Sequence, residues 1–161
     1  MTVVNKIPDC RLLIVGNGPY DVFIQGAKDI CTKITFTGLL DKKELCEIYQ
    51  IADVGVTPSL FETFGYVAAE MMMHGLPMIT TSTSGLAEMT EDGISSLQIP
   101  VIEHPEYIEI DTDLLAAKML FLLQNPEERK RLGLNARKRY EEKYTSEIFR
   151  ENMLNFYKSL L

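Results

Sequence analysis

The sequence predicts an α/β fold, a doubly wound parallel sheet of about five strands followed by C-terminal helices. Five short apolar runs, rich in β-branched residues, alternate with segments of helical pattern and predict strands at residues 11–15, 33–37, 52–56, 78–81 and 96–100. The third and fourth runs are joined by one short helical segment, and a strand, helix and strand in so few residues form a right-handed parallel crossover. Strands that alternate with helices in this way predict a doubly wound sheet.

Each of the first two strands is followed by a helix signal. Gly16-Asn17-Gly18-Pro19 turns the first strand into a helix over residues 20–29. This turn is either a tight backbone turn that lines a ligand crevice or a dedicated phosphate loop. Asp21 in place of a third motif glycine, and the lack of a following lysine, favour the first interpretation. After the second strand, Asp41-x-x-Glu44 has the form of a capping box and opens a helix that ends near residue 51.

The central crossover contains a helix over residues 65–74, for which Gly75 is the C-cap and Pro77 the stop signal. Beyond the fourth strand, residues 80–85 form a small-residue loop and residues 86–90 a short helix. The regular alternation ends with the fifth strand. The next ten residues contain a proline and three acidic side chains, so we expect residues 101–110 to be irregular.

The C-terminal part, about residues 112–161, is predicted to be helical. Asp111-Thr112-Asp113 directly precedes an apolar run at residues 114–123, so it is expected to cap that helix; a metal-binding D-x-D pair is the alternative. Residues 126–144 form a basic helix that either presents a solvated face or lies on an anionic membrane. The acidic residues interleaved in it favour the solvated face. A last helix begins at Thr145.

The composition excludes several classes of function. The formal net charge is −7, with 23 acidic against 16 basic side chains, so no nucleic-acid partner is expected. No apolar run approaches the roughly 20 residues of a membrane span, and no signal peptide is recognisable. We therefore expect a cytoplasmic chain, with peripheral membrane contact left open for a longer parent enzyme. Cys10, Cys31 and Cys46 have no metal-like spacing and are expected to be buried structural thiols, so no metal site is predicted.

Groups that could bind a ligand concentrate where the third predicted strand ends. The loop at its carboxyl end, the edge at which ligands bind in open α/β sheets, contains Ser59, Glu62, Thr63 and Phe64. Gly65 then opens the helix, whose free backbone N–H groups and dipole favour an anion. Glu70 lies roughly 7–8 Å further along the helix axis. Carboxylates on both sides of an anion site suit a ligand with a central diphosphate and a hydroxylated ring at each end.

These residues belong to an ordered series of motifs. Glu62-x7-Glu70 has Pro58-Ser59 before it, Phe64-Gly65 inside it and His74-Gly75-Leu76-Pro77 after it, and the series continues through residues 84–88 and 91–93. Upstream it includes residues 12–19 and 36–38. The series resembles the signature of family 4 retaining glycosyltransferases. That family has the GT-B fold, two doubly wound domains facing across a cleft, and this sequence resembles the carboxyl-terminal domain, which binds the nucleotide sugar.

The resemblance implies a role for each site residue. Glu62 is the expected catalytic residue, in contact with the hydroxyl groups of the transferred sugar, and Glu70 is expected to hold the ribose. The implied reaction is retaining transfer of a hexose from a UDP- or GDP-sugar to a glycan, glycolipid or polysaccharide acceptor, without a metal or other cofactor. The implied donor-binding residues are Gly16, Gly18, Gly38, Leu39, Ser59, Glu62, Thr63, Phe64, Gly65, Tyr66 and Glu70.

One part of the family pattern is missing. Residues 1–10 lack the basic pair that holds the diphosphate in the family, and the usual first strand of the domain is not recognisable. We therefore expect residues 1–161 to be a single donor-binding domain that lacks the N-terminal acceptor domain, and to be inactive alone. The alternative function is a non-catalytic nucleotide-sugar-binding or regulatory module.

Overall fold

The structure, a computed structural model, describes residues 3–160 apart from the side chain of Lys28. The chain divides into two compact units, Met1–Ile51 and Ala52–Leu161. The five predicted strands are all present and all pair in parallel, two in a sheet of the first unit and three in a sheet of the second. The predicted α/β fold class with parallel sheets is confirmed.

The first unit is built around two parallel strands. It begins with a single-turn helix, α1 (Val3–Lys6). Strand β1 (Leu12–Val15) pairs with β2 (Ile34–Gly38). Helix α2 (Tyr20–Gly26) and a 3-10 helix (Lys28–Lys33) connect the two strands, so the predicted helix at residues 20–29 ends at its glycine.

Helix α3 (Lys42–Ile51) closes the first unit, and its N-terminus is the predicted capping box. The backbone N–H of Glu44 donates to Asp41 Oδ1 at 2.8 Å, and the backbone N–H of Asp41 donates to Glu44 Oε2 at 2.9 Å. This reciprocal pair satisfies two N–H groups that an uncapped helix start leaves without partners. The prediction of a capping box is confirmed.

The second unit contains the predicted parallel crossover. Strand β3 (Gly55–Thr57) leads through α4 (Tyr66–Met73) to β4 (Met78–Thr81), which pairs with β3 in parallel. Helix α5 (Ser84–Met89) then leads to β5 (Leu97–Ile99), which pairs with the other edge of β4. The strand order β3-β4-β5 therefore places β4 in the middle of the sheet.

The core of the second unit surrounds β4, whose four residues are all buried. Successive side chains of a strand point to opposite faces, so complete burial means that both faces of the sheet are covered, as in doubly wound folds. Two further helices, α6 (Thr112–Gln124) and α7 (Pro126–Lys143), supply part of this cover. The core cluster contains Ile79, Leu97, Ile99, Leu122 and Leu132.

Side-chain caps are present at the starts of α6 and α8. Asp111 Oδ1 accepts hydrogen bonds from the backbone N–H groups of Asp113 and Leu114, both at 2.9 Å, so the D-x-D sequence caps α6. Helix α8 (Ser146–Ser159) begins after Thr145, whose hydroxyl accepts from the backbone N–H of Ile148 at 3.3 Å. None of the helices within residues 3–160 combines the length and the apolar character needed to cross a membrane.

Residues 101–110 are regular, which corrects the prediction of an irregular segment. They form an antiparallel hairpin of β6 (Val101–Glu103) and β7 (Ile108–Ile110). At its turn the backbone N–H of His104 donates to the carbonyl of Tyr107 at 2.9 Å, and the two rings stack with centroids 4.3 Å apart. Pro105 and Glu106, which suggested irregularity, lie in the turn, and the other acidic residues lie at exposed strand positions, so none of them interrupts the pairing.

The cysteines are less buried than predicted. Cys31 is exposed, and Cys10 and Cys46 are half-buried, so the prediction of three buried structural thiols is wrong. All three lie in the first unit, whose strand β1 has exposed or half-buried side chains throughout. Apolar sequence context therefore overestimated burial in this part of the chain.

The arginines of α7 do not form a purely solvated face, which corrects the prediction made for this helix. They donate to backbone carbonyls, most of them at the C-terminal ends of α4, α5 and α6, where such groups lack partners within the helix. A cation there also suits the negative end of the helix dipole. The contacts are Arg129 with Leu122 and Leu123 (2.8 and 2.9 Å), Arg131 with Gly93 (2.7 Å), Arg137 with Met73, and Arg139 with Met89 and Glu88 (2.6 and 3.0 Å).

Candidate functional site

The loop from Ser59 to Phe64 joins β3 to α4 at the carboxyl end of the sheet, and it is called the donor loop after the role that the sequence resemblance implies. Hydrogen bonds from the last residue of β4 and from the segment that follows it fix the backbone of this loop. The hydrogen bonds are Thr81 Oγ1 to the carbonyl of Ser59 (2.5 Å), Thr83 Oγ1 to that of Leu60 (3.3 Å), and Ser84 Oγ and the Gly85 N–H to that of Glu62 (2.9 and 3.0 Å). The carbonyl groups of the loop are thus held from outside the loop itself.

Gly85 is the residue on which this contact depends most. A Cβ added there would lie 2.5 Å from the carbonyl oxygen of Thr63 and 2.8 Å from the backbone nitrogen of Phe64. Backbone atoms cannot move aside as the end of a flexible side chain can, so no other residue fits while the loop keeps its place. The sequence indicated residues 80–85 only as a small-residue loop, because their partners lie about 22 residues earlier in the chain.

Gly65 forms the N-cap of α4 in the left-handed region, at φ +94° and ψ +53°. A Cβ at this position would also lie 2.8 Å from Leu86 Cδ2. No side chain caps this helix start. The first backbone N–H groups of α4 therefore point out of the helix without a side-chain acceptor, which is the arrangement that favours an anion.

The two predicted carboxylates lie on either side of this helix start. Glu62 is half-buried, and its Oε1 accepts a hydrogen bond from the backbone N–H of Thr63 at 3.1 Å. Glu70 is half-buried in the second turn of α4, four residues after Tyr66. Residues four apart share one face of a helix, and Tyr66 is exposed, so Glu70 lies on the face that α4 does not bury in the core. The structure therefore brings Glu62, Gly65 and Glu70 together around one helix terminus.

Aromatic rings surround the same terminus. The ring of Phe64 lies 4.9 Å from that of Tyr66 and 6.3 Å from that of Tyr144, with an edge-to-face angle of 79° to the latter. Tyr144, between α7 and α8, was not among the predicted site residues. A tyrosine 80 residues from its partner gives no local sequence signal, and only the tertiary contact reveals it.

The remaining predicted donor-binding residues lie in the first unit. Gly16 follows β1 and Gly38 is the last residue of β2, and the Gly16 N–H donates to the carbonyl of Gly38 at 2.9 Å. Both glycines have positive φ, +117° and +71°, so conformation rather than crowding requires glycine there. Gly18 lies in the turn before α2, and Leu39 is 75% exposed. These residues form backbone turns at strand ends, and the choice between a crevice-lining turn and a phosphate loop at Gly16 stays a prediction.

Comparison with known proteins decides the family. Residues 1–125 match the family model of glycosyl transferases group 1. The chain belongs to this family. Its fold and its motif series are therefore those of a group 1 glycosyltransferase, in agreement with the resemblance that the sequence carried.

Relatives of the chain in this family are much longer than the chain itself. Alpha-D-kanosaminyltransferase of Streptomyces kanamyceticus is 25% identical over 155 residues, which are 94% of this chain and 38% of that protein. Sulfoquinovosyl transferase SQD2 of Arabidopsis thaliana is 30% identical over 142 residues, 87% of this chain and 26% of the relative. The chain thus spans less than two fifths of the length of these relatives.

Solved structures place the group 1 glycosyltransferase chain in the GT-B fold. Sucrose-phosphate synthase from Thermosynechococcus elongatus superposes on 98% of this chain with a TM-score of 0.82 and 28% identity, over 40% of its own length. Anabaena Alr3699/HepE in complex with UDP-glucose covers 98% of this chain and 44% of its own, with a TM-score of 0.78 and 16% identity. The C-terminal domain of the Francisella tularensis group 1 protein LpcC covers 89% and 74%, with a TM-score of 0.74 and 23% identity. The match is to the C-terminal Rossmann-like domain of such enzymes.

Proposed function

We propose that this chain is the donor-binding domain of a glycosyltransferase that transfers a hexose from a nucleoside diphosphate sugar with retention of anomeric configuration. The observation that carries the proposal is the start of α4, an uncapped helix terminus with Glu62 before it and Glu70 one turn into it. Membership of the group 1 family supports the transfer reaction. Hexose transfer and retention rest on the motif resemblance.

UDP is the donor nucleotide that the comparisons favour for a first test. Anabaena HepE, which has the same fold, was solved with UDP, with UDP and glucose, and with UDP-glucose. In the proposed complex the diphosphate lies at the N-terminus of α4, where N–H groups and the helix dipole favour negative charge. GDP remains the second nucleotide to compare.

The two glutamates have different proposed roles. Glu70 accepts hydrogen bonds from the ribose hydroxyls, and Glu62 accepts them from the transferred sugar. As the anomeric bond breaks, the leaving diphosphate gains charge, and the start of α4 stabilises it without rearrangement. The proposal assigns no step to a metal, so a chelator added to the parent enzyme should leave its rate unchanged. Gly16, Gly18, Gly38 and Leu39 remain predictions for the part of the donor that carries the base.

The proposed acceptor is a glycan, a glycolipid or a polysaccharide. It would bind to a region of the parent enzyme that corresponds to the part of the relatives outside the match. Residues 1–161 alone should therefore bind donor weakly and catalyse no measurable transfer. Effective positioning of two substrates is worth up to about 7–11 kcal/mol, and a domain that holds only one of them lacks that contribution.

The test is to express the longer parent protein, supply UDP-glucose with a glycan or glycolipid acceptor, and determine the anomeric configuration of the product by NMR. The α-anomer from this α-linked donor is the expected product. An inverted anomer would refute retention. Donor binding without transfer to any acceptor would instead favour the non-catalytic module.

A further inference from the structure

Tyr144 makes two contacts that connect the C-terminal helices to the donor loop. Its ring meets the ring of Phe64 edge to face at 6.3 Å, and its hydroxyl lies 3.4 Å from the carbonyl oxygen of Glu88 in α5. Tyr144 is half-buried, and it follows directly on the last residue of α7. Its backbone N–H donates to the carbonyl of Tyr140 at 2.8 Å, which fixes its place at the end of the helix.

The contact closes a small pocket under the loop. Its walls come from the loop, from α5 and from the end of α7, and its lining residues are Thr63, Phe64, Gly85, Glu88, Met89 and Tyr144. The donor loop is therefore held in two ways. Hydrogen bonds from residues 81–85 fix its carbonyl groups, and the Tyr144 ring supports the Phe64 side chain next to the start of α4.

Helix α4 itself is held at its other end. Gly133 of α7 packs closely on the backbone of Gly75, and Arg137 donates to the carbonyl of Met73. Neither contact involves Tyr144. Loosening the Phe64 ring should therefore change the donor loop more than it changes the position of the helix.

We infer that Tyr144 is a positioning residue for the donor loop: its ring holds Phe64 in place, and so holds Glu62 in register with the start of α4. The inference deepens the proposed function and rests on it. It assigns to the junction of α7 and α8 a part in sugar binding that its sequence position does not suggest. Aromatic edge-to-face pairs contribute enough to shift a loop equilibrium by about threefold to tenfold.

Two measurements on the chain test it. Amide hydrogen exchange, read by mass spectrometry, should be about three- to tenfold faster in Tyr144→Ala than in the wild type at Gly85, whose N–H donates to the carbonyl of Glu62. In calorimetric titration, Tyr144→Ala should lose affinity for UDP-glucose by a similar factor. It should lose less affinity for UDP, because the diphosphate lies on the firmly held helix. Tyr144→Phe keeps the ring and should restore both values. Tyr140→Ala, one turn earlier on the same helix, is the matched control and should change neither.

The outcomes distinguish a failure of the positioning role of Tyr144 from a failure of the proposed function. Unchanged exchange at Gly85 in Tyr144→Ala would overturn the positioning role. So would an equal loss of UDP and UDP-glucose affinity, or an equal effect of Tyr140→Ala, because each indicates general destabilisation. If the wild type binds neither ligand, the proposed function fails, and the exchange data still decide whether Tyr144 positions the loop.

Discussion

Gly133 of α7 lies directly against the backbone of Gly75, the residue at which the chain leaves α4. A Cβ added to Gly133 would stand 2.2 Å from the carbonyl oxygen of Gly75. No real Cβ atom comes so close to another atom, so the two backbones must already be in direct contact. The glycine pair therefore fixes how closely α7 approaches the end of α4. The helix whose start forms the candidate site is thus anchored at its opposite end by a contact that only glycine permits.

Gly133→Ala should therefore destabilise the chain by about 3 kcal/mol, the upper end of the usual cost of an overpacked site, since α7 must move away from Gly75. Urea unfolding followed by circular dichroism measures the change. Gly26→Ala is the control, because a Cβ at Gly26 meets open space and alanine is the better helix former. Equal midpoints for Gly133→Ala and the wild type would show that the contact is not tight.

Arg139→Met should cost about 2–3 kcal/mol of stability. The side chain is only 14% exposed, and its loss leaves the carbonyls of Met89 and Glu88 without their charged donor. Lys138→Met is the matched control on the neighbouring position, where the side chain is 73% exposed and a change within about 0.5 kcal/mol is expected. Thermal unfolding of both variants compares them. Similar melting temperatures would contradict a capping role for Arg139.

Gly65→Ala should weaken UDP binding as well as stability. The left-handed conformation costs a residue with a Cβ about 1–3 kcal/mol, and the added atom also meets Leu86. Gly93→Ala is the control, because it has φ +70° but open space around it and lies in the turn before β5. Both variants should lose stability in unfolding experiments, and only Gly65→Ala should lose UDP affinity in calorimetry. Loss of UDP affinity in both variants would remove Gly65 from the site.

The ion pair at the start of α7 predicts a small pH dependence. A hydrogen bond from the Arg131 guanidinium, 2.8 Å from Nε to Glu128 Oε2, lowers the pKa of Glu128 below its ordinary value, with the arginine charge as a smaller cause. The ion pair therefore contributes its full stability above the ordinary pKa of the Glu128 carboxyl. That stability is lost as the pH falls through the lowered pKa of the folded protein. Glu128→Gln should remove about 0.2–1 kcal/mol at neutral pH and nothing at strongly acid pH. Urea unfolding at both pH values, with exposed Glu127→Gln as control, checks this; a loss that persists in acid would rule out the ion pair.

The sequence was informative wherever structure is specified by neighbouring residues. The crossover around residues 52–81, the capping box at Asp41 and the cap at Asp111 were predicted because hydrophobic runs and caps act within a few residues. The helix start at Gly65 with its two glutamates was predicted for the same reason. It is the part of the candidate site that local signals describe.

The errors and omissions all depend on distant contacts or on short elements. The arginines of α7 were expected on a solvated face, because their carbonyl partners lie 6 to 64 residues away in the chain. The hairpin of β6 and β7 was missed because its proline and acidic residues suggested an irregular segment, although they lie in its short turn or at exposed strand positions. The residues that hold the donor loop, from Thr81 to Gly85 and Tyr144, were not predicted because hydroxyl groups and a tyrosine acquire this role only through tertiary packing.

The central claim is that the start of α4 binds the donor, with Glu70 at the ribose and Glu62 at the sugar. Calorimetric titration of UDP and GDP into the wild type and two variants tests this claim most directly. Glu70→Gln should weaken binding of the bare nucleotide by about 1–3 kcal/mol, the loss of a charge-assisted hydrogen bond. Glu62→Gln should leave bare-nucleotide binding nearly intact, since the sugar it contacts is absent. In the parent enzyme it should lower kcat, because sugar contacts that tighten in the transition state act on the rate. Equal loss of nucleotide affinity in both variants would contradict the division of roles, and no loss in either, with a wild type that binds well, would move the site away from α4.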